Sequence, residues 1–220
     1  MKITYQDIIR NKEIEQYIAM GNEVLGKLGF TEHSVKHAAV VADRAAKILE
    51  DIGASKKEIE LAKIAGYLHD IGNCVNRHDH AHSGAIMAFH ILRDLGMPTE
   101  DIAVIVSAIG NHDEATGTAV TPVSAAVILA DKTDVRSNRV RNKDAAAFDK
   151  HDRVNYAVRK ASVTTDPKKG VIHLNIKLDE EICSVLDYFE IFTERMLMCR
   201  RASEVLGLRF KFTVNGSKVL

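Results

Sequence analysis

The chain has 220 residues, with 30 Lys plus Arg balanced by 30 Asp plus Glu. That length suggests one domain of ordinary size whose core needs no staples, with room for a small appendage. Zero formal net charge leaves no basic excess to release counterions from phosphates, which argues against general nucleic-acid binding. At 46% apolar and 27% charged residues, the composition excludes a disordered, collagen-like or membrane protein.

From residue 1 to about 162 the pattern is helical. Residues 33–51 place Val40, Val41, Ala45, Ile48 and Leu49 near one helix face. The stretch ELAKIAGYLHD keeps Leu61, Ile64, Ala65 and Leu68 together and delivers His69 and Asp70 at its end, where Gly72 supplies a turn. Ser83 to Leu95 reads as a helix stopped by Gly96 and Pro98. Thr99 caps the next, with Glu100 and Asp101 in its first turn. Pro122 opens a helix running to about Asp134, and residues 149–161 form one more.

The expected body is therefore mainly α, a bundle of six or seven helices over residues 1–164. Residues 165–220 differ. Ile172, Leu174, Ile176 and Leu178 alternate with polar neighbours, which is strand period. A helix over about 183–206 presents Val185, Leu186, Phe189 and Phe192 on one face, and Phe210, Phe212 and Val214 alternate again. This is a C-terminal strand-helix-strand appendage, with Thr164–Gly170 as the candidate linker. A strand edge there could pair with a second copy, so a homodimer is a possible assembly. Three cysteines without a CxxC (Cys74, Cys183 and Cys199) suggest reduced thiols. With no apolar leader or spanning run in view, the expected location is cytoplasmic.

Ten histidines occur, eight of them between His33 and His112. Histidine is the commonest metal ligand and a frequent proton-transfer group. An isolated His-Asp pair at a helix end needs no function, but His69-Asp70 is not isolated. His33 stands before a helix, His80 and His112 lie between, and Asp131 sits inside an apolar helix where an unpaired carboxylate is costly. Nearby basic residues are Lys132, Arg136, Arg139 and Arg141. Neutral imidazoles and carboxylates, without thiolate, suit iron, manganese, nickel or zinc rather than copper(I).

This ordered set, together with the GYLHDIG stretch, resembles the HD-domain metal-dependent phosphohydrolases over about residues 30–140. The resemblance implies that His33, His69, Asp70 and Asp131 hold one divalent transition metal. It implies that Asp70 bridges to a second held by His80 and His112. His37, one turn after His33, competes with it as a ligand, and His78 and His82 compete with His80. Where many relatives have lysine after HDIG, Asn73 stands here. The GYP stretch of cyclic-di-GMP phosphodiesterases is missing, with Asn111 where that subgroup has a further histidine, so a cyclic dinucleotide is not supported.

The implied activity is hydrolysis of a phosphate ester or phosphoanhydride by a metal-bound hydroxide, with Asp70 and Lys132 as catalytic groups. Lys132 and Arg136 are the candidate phosphate contacts. The expected partner is a phosphorylated small molecule, a mononucleotide or dinucleoside polyphosphate by the family's range. Two alternatives share these residues: an HD-type di-iron oxygenase and a non-catalytic nucleotide sensor.

Overall fold

The computed structural model describes residues 3–142, 148 and 150–219. Two N-terminal helices, α1 (Tyr5–Ile9) and α2 (Lys12–Lys27), lead into α3 (Val35–Asp51) and α4 (Lys56–Leu68). A 3-10 turn, Ile71–Cys74, connects to α5 (His80–Asp94), followed by α6 (Thr99–Gly110) and α7 (Pro122–Lys132). A second 3-10 turn, Ser137–Arg139, precedes α8 (Lys150–Ala157). The described residues before Val158 thus hold eight helices, the five-residue α1 among them.

The central helix is α7. Its sequence is apolar all round, which predicts burial on every side, and Val123 through Ala130 are all buried. Pro122 fills the first helical position and the Thr121 hydroxyl accepts from the Ser124 amide at 3.1 Å. Around α7 pack α3, α4, α6 and the later helix α9 (Val185–Val205).

The tail holds the expected strand, helix, strand as β2 (Val171–Leu178), α9 and β3 (Arg209–Val214), with β2 and β3 parallel. Two more strands extend this sheet, β1 (Val158–Asp166) antiparallel to β2 and β4 (Ser217–Lys218) antiparallel to β3. The order is β1-β2-β3-β4. The helix expected over 149–161 therefore ends at Ala157. Thr164–Gly170 is the end of β1 and a tight turn, with the Gly170 amide donating to the Pro167 carbonyl. The face of α9 also differs from expectation. Tyr188, Phe192, Met196 and Cys199 are buried, while Leu186 is 77% exposed. One apolar core runs from Ile8 through α7 to Phe212 and Val214, joining the bundle and the sheet.

Candidate metal centre

Five histidines are brought together, and each has its ring orientation set by an acceptor at Nδ1. His33 Nδ1 meets the Thr31 carbonyl at 2.7 Å and His69 Nδ1 the Gly66 carbonyl at 2.8 Å. His80 Nδ1 meets the Arg77 carbonyl at 3.1 Å and His112 Nδ1 the Ile109 carbonyl at 2.6 Å. His37 Nδ1 meets Asp134 Oδ2 at 2.8 Å. Carbonyl and carboxylate oxygens only accept, so each Nδ1 carries a proton and each ring, when neutral, presents an Nε2 lone pair inward. This is how ligating imidazoles are oriented in metal sites.

Two clusters result, sharing Asp70. In the first, His69 Nε2 lies 3.2 Å from Asp70 Oδ2 and 3.7 Å from Asp131 Oδ1. His37 Nε2 lies 3.4 Å from Asp131 Oδ1 and 3.7 Å from Asp70 Oδ2. His33 Nε2 reaches Asp70 Oδ2 at 4.0 Å, so the tighter position belongs to His37, and His33 lines the cleft beside it. In the second cluster, His80 and His112 Nε2 lie 3.5 and 3.9 Å from Asp70 Oδ1. Those two Nε2 atoms face each other at 3.1 Å.

Such an arrangement asks for a cation. Two imidazole lone pairs at that separation repel unless something positive lies between them. His37 Nε2, His69 Nε2 and Asp70 Oδ2 are buried without a hydrogen-bond partner, a costly state for polar atoms. Asp131 stands at the C-terminal end of α7, where the helix dipole disfavours a carboxylate. The donor set of imidazole and carboxylate fits divalent transition metals, and both clusters are groups able to hold one.

The electrostatics agree. Burial alone lowers His69, but the Asp70 and Asp131 carboxylates outweigh it and raise its pKa to about 10, so without a metal they draw a proton onto that ring. Burial would raise Asp70, yet His69 and His33 hold it well below the usual carboxylate range. Burial keeps His33 and His112 well below 6.5 and also lowers His80, so all three favour the neutral, ligating form.

Helix ends and turns deliver these groups. α4 stops at Leu68, and the 3-10 turn brings Asp70 around, with Asn73 Nδ2 donating to Asp70 Oδ1 at 2.7 Å. Asn73, at the position where many relatives have lysine, thus orients the shared carboxylate. His80 occupies the first residue of α5, while His78, His82 and His90 are exposed.

Lys132 is buried, with its ammonium 2.8 Å from Asp131 Oδ2 and 2.6 Å from Glu114 Oε2. Glu114 also accepts from Arg195 of α9 at 3.0 Å. Arg136 is not at the cleft. Its guanidinium donates to both oxygens of Asp134, at 2.6 and 2.9 Å. The cations lining the cleft are Arg77, Lys132, Arg139 and Arg195, around a space of about 380 Å³. Four groups escaped the sequence reading: Arg77, Asp134, Glu114 and Arg195. Asp134 carried a signal, three residues after Asp131, but Glu114 and Arg195 meet only through the tertiary fold.

Residues 34–153 match the family model described as HD domain. The chain is 29% identical over 167 residues to an uncharacterised protein of Methanocaldococcus jannaschii, covering 64% of this chain and 62% of that one. It is 30% identical over 128 residues to ribonuclease Y of Oceanobacillus iheyensis, covering 54% of this chain and 23% of that enzyme. The chain thus spans less than two thirds of either relative. A solved structure of a predicted HD superfamily hydrolase from an uncultured Thermotogales bacterium is also similar. It is 25% identical, with a TM-score of 0.44, covering 57% of this chain and 68% of that one.

Proposed function

The chain belongs to the HD-domain family of metal-dependent phosphohydrolases, and we propose on that premise that it hydrolyses a phosphate ester or phosphoanhydride of a nucleotide. One observation carries the reading. Five imidazole Nε2 atoms converge on Asp70, which with Asp131, His33, His80 and His112 lines a cleft also lined by Arg77, Arg139 and Arg195.

In this proposal His37, His69, Asp70 and Asp131 would hold one divalent cation, with His33 beside them. Asp70, His80 and His112 would hold a second. Such cations, when bound, lower the pKa of water toward about 7 and neutralise charge developing on phosphoryl oxygens. The protein's own residues do the rest. Asp70 turns one oxygen to each cluster, and Asn73 fixes the rotation of that carboxylate. Arg77, Arg139 and Arg195 orient the phosphoryl oxygens, since guanidinium forks match their geometry. Lys132 spends two N–H donors on Asp131 and Glu114 and has a third for the cleft it lines. It neutralises Asp131 and positions it.

The test uses protein stripped with chelator and reloaded separately with manganese, iron, nickel or zinc. Phosphate release from nucleoside mono-, di- and triphosphates is expected with at least one metal and is expected to vanish in Asp70→Ala. No release from any of them with any of the four metals would overturn the proposal.

A further inference from the structure

The metal-side cleft opens into a second, larger space of about 840 Å³. Thr31, His33, Arg77, Asn155 and Arg195 line both, so the two are one continuous groove. The outer part has a different chemistry. Phe30 and Leu28 follow the end of α2, where Gly29 takes a φ of 83° that reverses the chain. They remain 41% and 58% exposed. Asp152 and Asn155 of α8 add a carboxylate and an amide to the lining, and Phe192 of α9 adds a second ring.

The junction between the two parts is built from two cation-aromatic pairs. The Arg77 guanidinium lies 5.5 Å from the Phe30 ring centroid, and that of Arg195 lies 4.8 Å from the Phe192 centroid. Each arginine also lines the metal-side cleft. A ligand crossing the junction would therefore meet positive charge and metal ligands at one end, and an aromatic face with polar neighbours at the other. A nucleoside 5′-phosphate has those two ends. Leu28, Phe30, Asn155, Phe192 and Arg195 lie outside the segment that matches the family, whereas the two metal clusters lie inside it. Much of the outer groove thus lies outside the matched segment.

We propose that this outer groove seats the nucleoside of a nucleoside 5′-phosphate, with the base stacked on the exposed face of Phe30 and the phosphate passing between Arg77 and Arg195. The inference rests on the phosphohydrolase reading and adds where the base sits and which side chain holds it. Stacking on an aromatic side chain favours bases in general, because every base has a π face.

The test compares the four common ribonucleoside 5′-monophosphates with ribose 5-phosphate, which has the same sugar and phosphate but no base. In the metal-loaded protein, kcat/KM for at least one nucleotide is expected to exceed that for ribose 5-phosphate about tenfold or more. Phe30→Ala should abolish most of that ratio by raising KM for the nucleotide far more than KM for ribose 5-phosphate. Calorimetric Kd values for the same nucleotide should weaken about tenfold in parallel. Equal kcat/KM for nucleotide and ribose 5-phosphate, or a ratio unmoved by Phe30→Ala, would overturn the groove assignment while leaving the hydrolase standing. Hydrolysis of none of these compounds would count against the hydrolase. The groove would then be decided by Kd alone, and equal Kd values in wild type and Phe30→Ala would overturn it.

Discussion

His37 and Asp134 carry one of the sharper tests at the scale of single residues. Asp134 is buried and accepts a hydrogen bond from His37 Nδ1, while Arg136, Arg139 and Arg44 surround its other edges. Burial would raise this carboxyl, but the hydrogen bonds from His37 and Arg136 and the nearby Arg139 hold it far below its usual range. A depressed carboxylate stabilises the fold above the unfolded-state pKa, near 4, and loses that contribution as pH falls further. Metal-free Asp134→Asn should therefore melt well below wild type at pH 7, by about 3 kcal/mol for a broken buried pair. The gap in Tm should shrink as pH drops below about 4. A gap constant from pH 7 to pH 2 would show that the charge does not matter. A second test separates the two competing histidines. His37→Ala is expected to lose one equivalent of metal, and His33→Ala to retain more of it; the reverse order would return the ligand role to His33. The sequence showed both rings, one helical turn apart, and the family resemblance favoured His33, whereas the geometry gives His37 the tighter position. Ranking needs the distances to Asp70 and Asp131, which depend on how α3 packs against α7.

Among elements, the 3-10 turn after α4 is the most constrained. A Cβ at Gly72 would lie 2.1 Å from the His80 carbonyl oxygen and 2.5 Å from the Gly84 amide nitrogen. Backbone meets backbone there, so no side chain can move aside. The glycine is required for space and not for an unusual φ. Gly72→Ala should push the start of α5 away and carry His80 from Asp70. The expected result is loss of the second metal and a stability deficit of about 1–3 kcal/mol from overpacking. Full metal content in that variant would show that the turn does not set the distance. The helices carrying the site were legible because their caps and apolar spacing are strong. β1 was not. Its burial pattern, with one buried residue followed by mixed exposure, lacks the clean alternation that marks a strand. Its sequence also continues from α8 without a glycine or proline to separate them. In α9 the aromatic spacing was visible, but which side faces β3 and α7 was not, and the buried stripe lies on Tyr188, Phe192, Met196 and Cys199.

For the whole molecule, the continuity of the core is what matters. Bundle and sheet share one apolar cluster, and α9 carries Arg195 to Glu114, which joins Lys132 and then Asp131. The tail is thus part of the wall of the cleft. No helix among the described residues is long and apolar enough to cross a membrane. Thermal unfolding should follow one transition for helical and sheet signals together. Metal present at about 100 times its Kd should add about 2.7 kcal/mol. For a chain of this size that is a rise in Tm of about 5–10 °C. Two separated transitions would show that the sheet and bundle unfold independently. The presence of the tail was legible in the alternation of β2 and β3, and the metal ligands in the order of histidines and aspartates. The ion-pair chain that ties the two together spans residues 114 to 195, and no local pattern encodes it.

The most direct measurement is elemental analysis of protein purified without oxygen or chelator, beside an Asp70→Ala control. Among the described residues, Asp70 is the one carboxylate within 4.0 Å of all five imidazole Nε2 atoms. The expected result is close to two transition-metal ions per chain, both lost in the control. No bound metal, even after reconstitution with manganese, iron, nickel and zinc, would contradict a metal centre at this site.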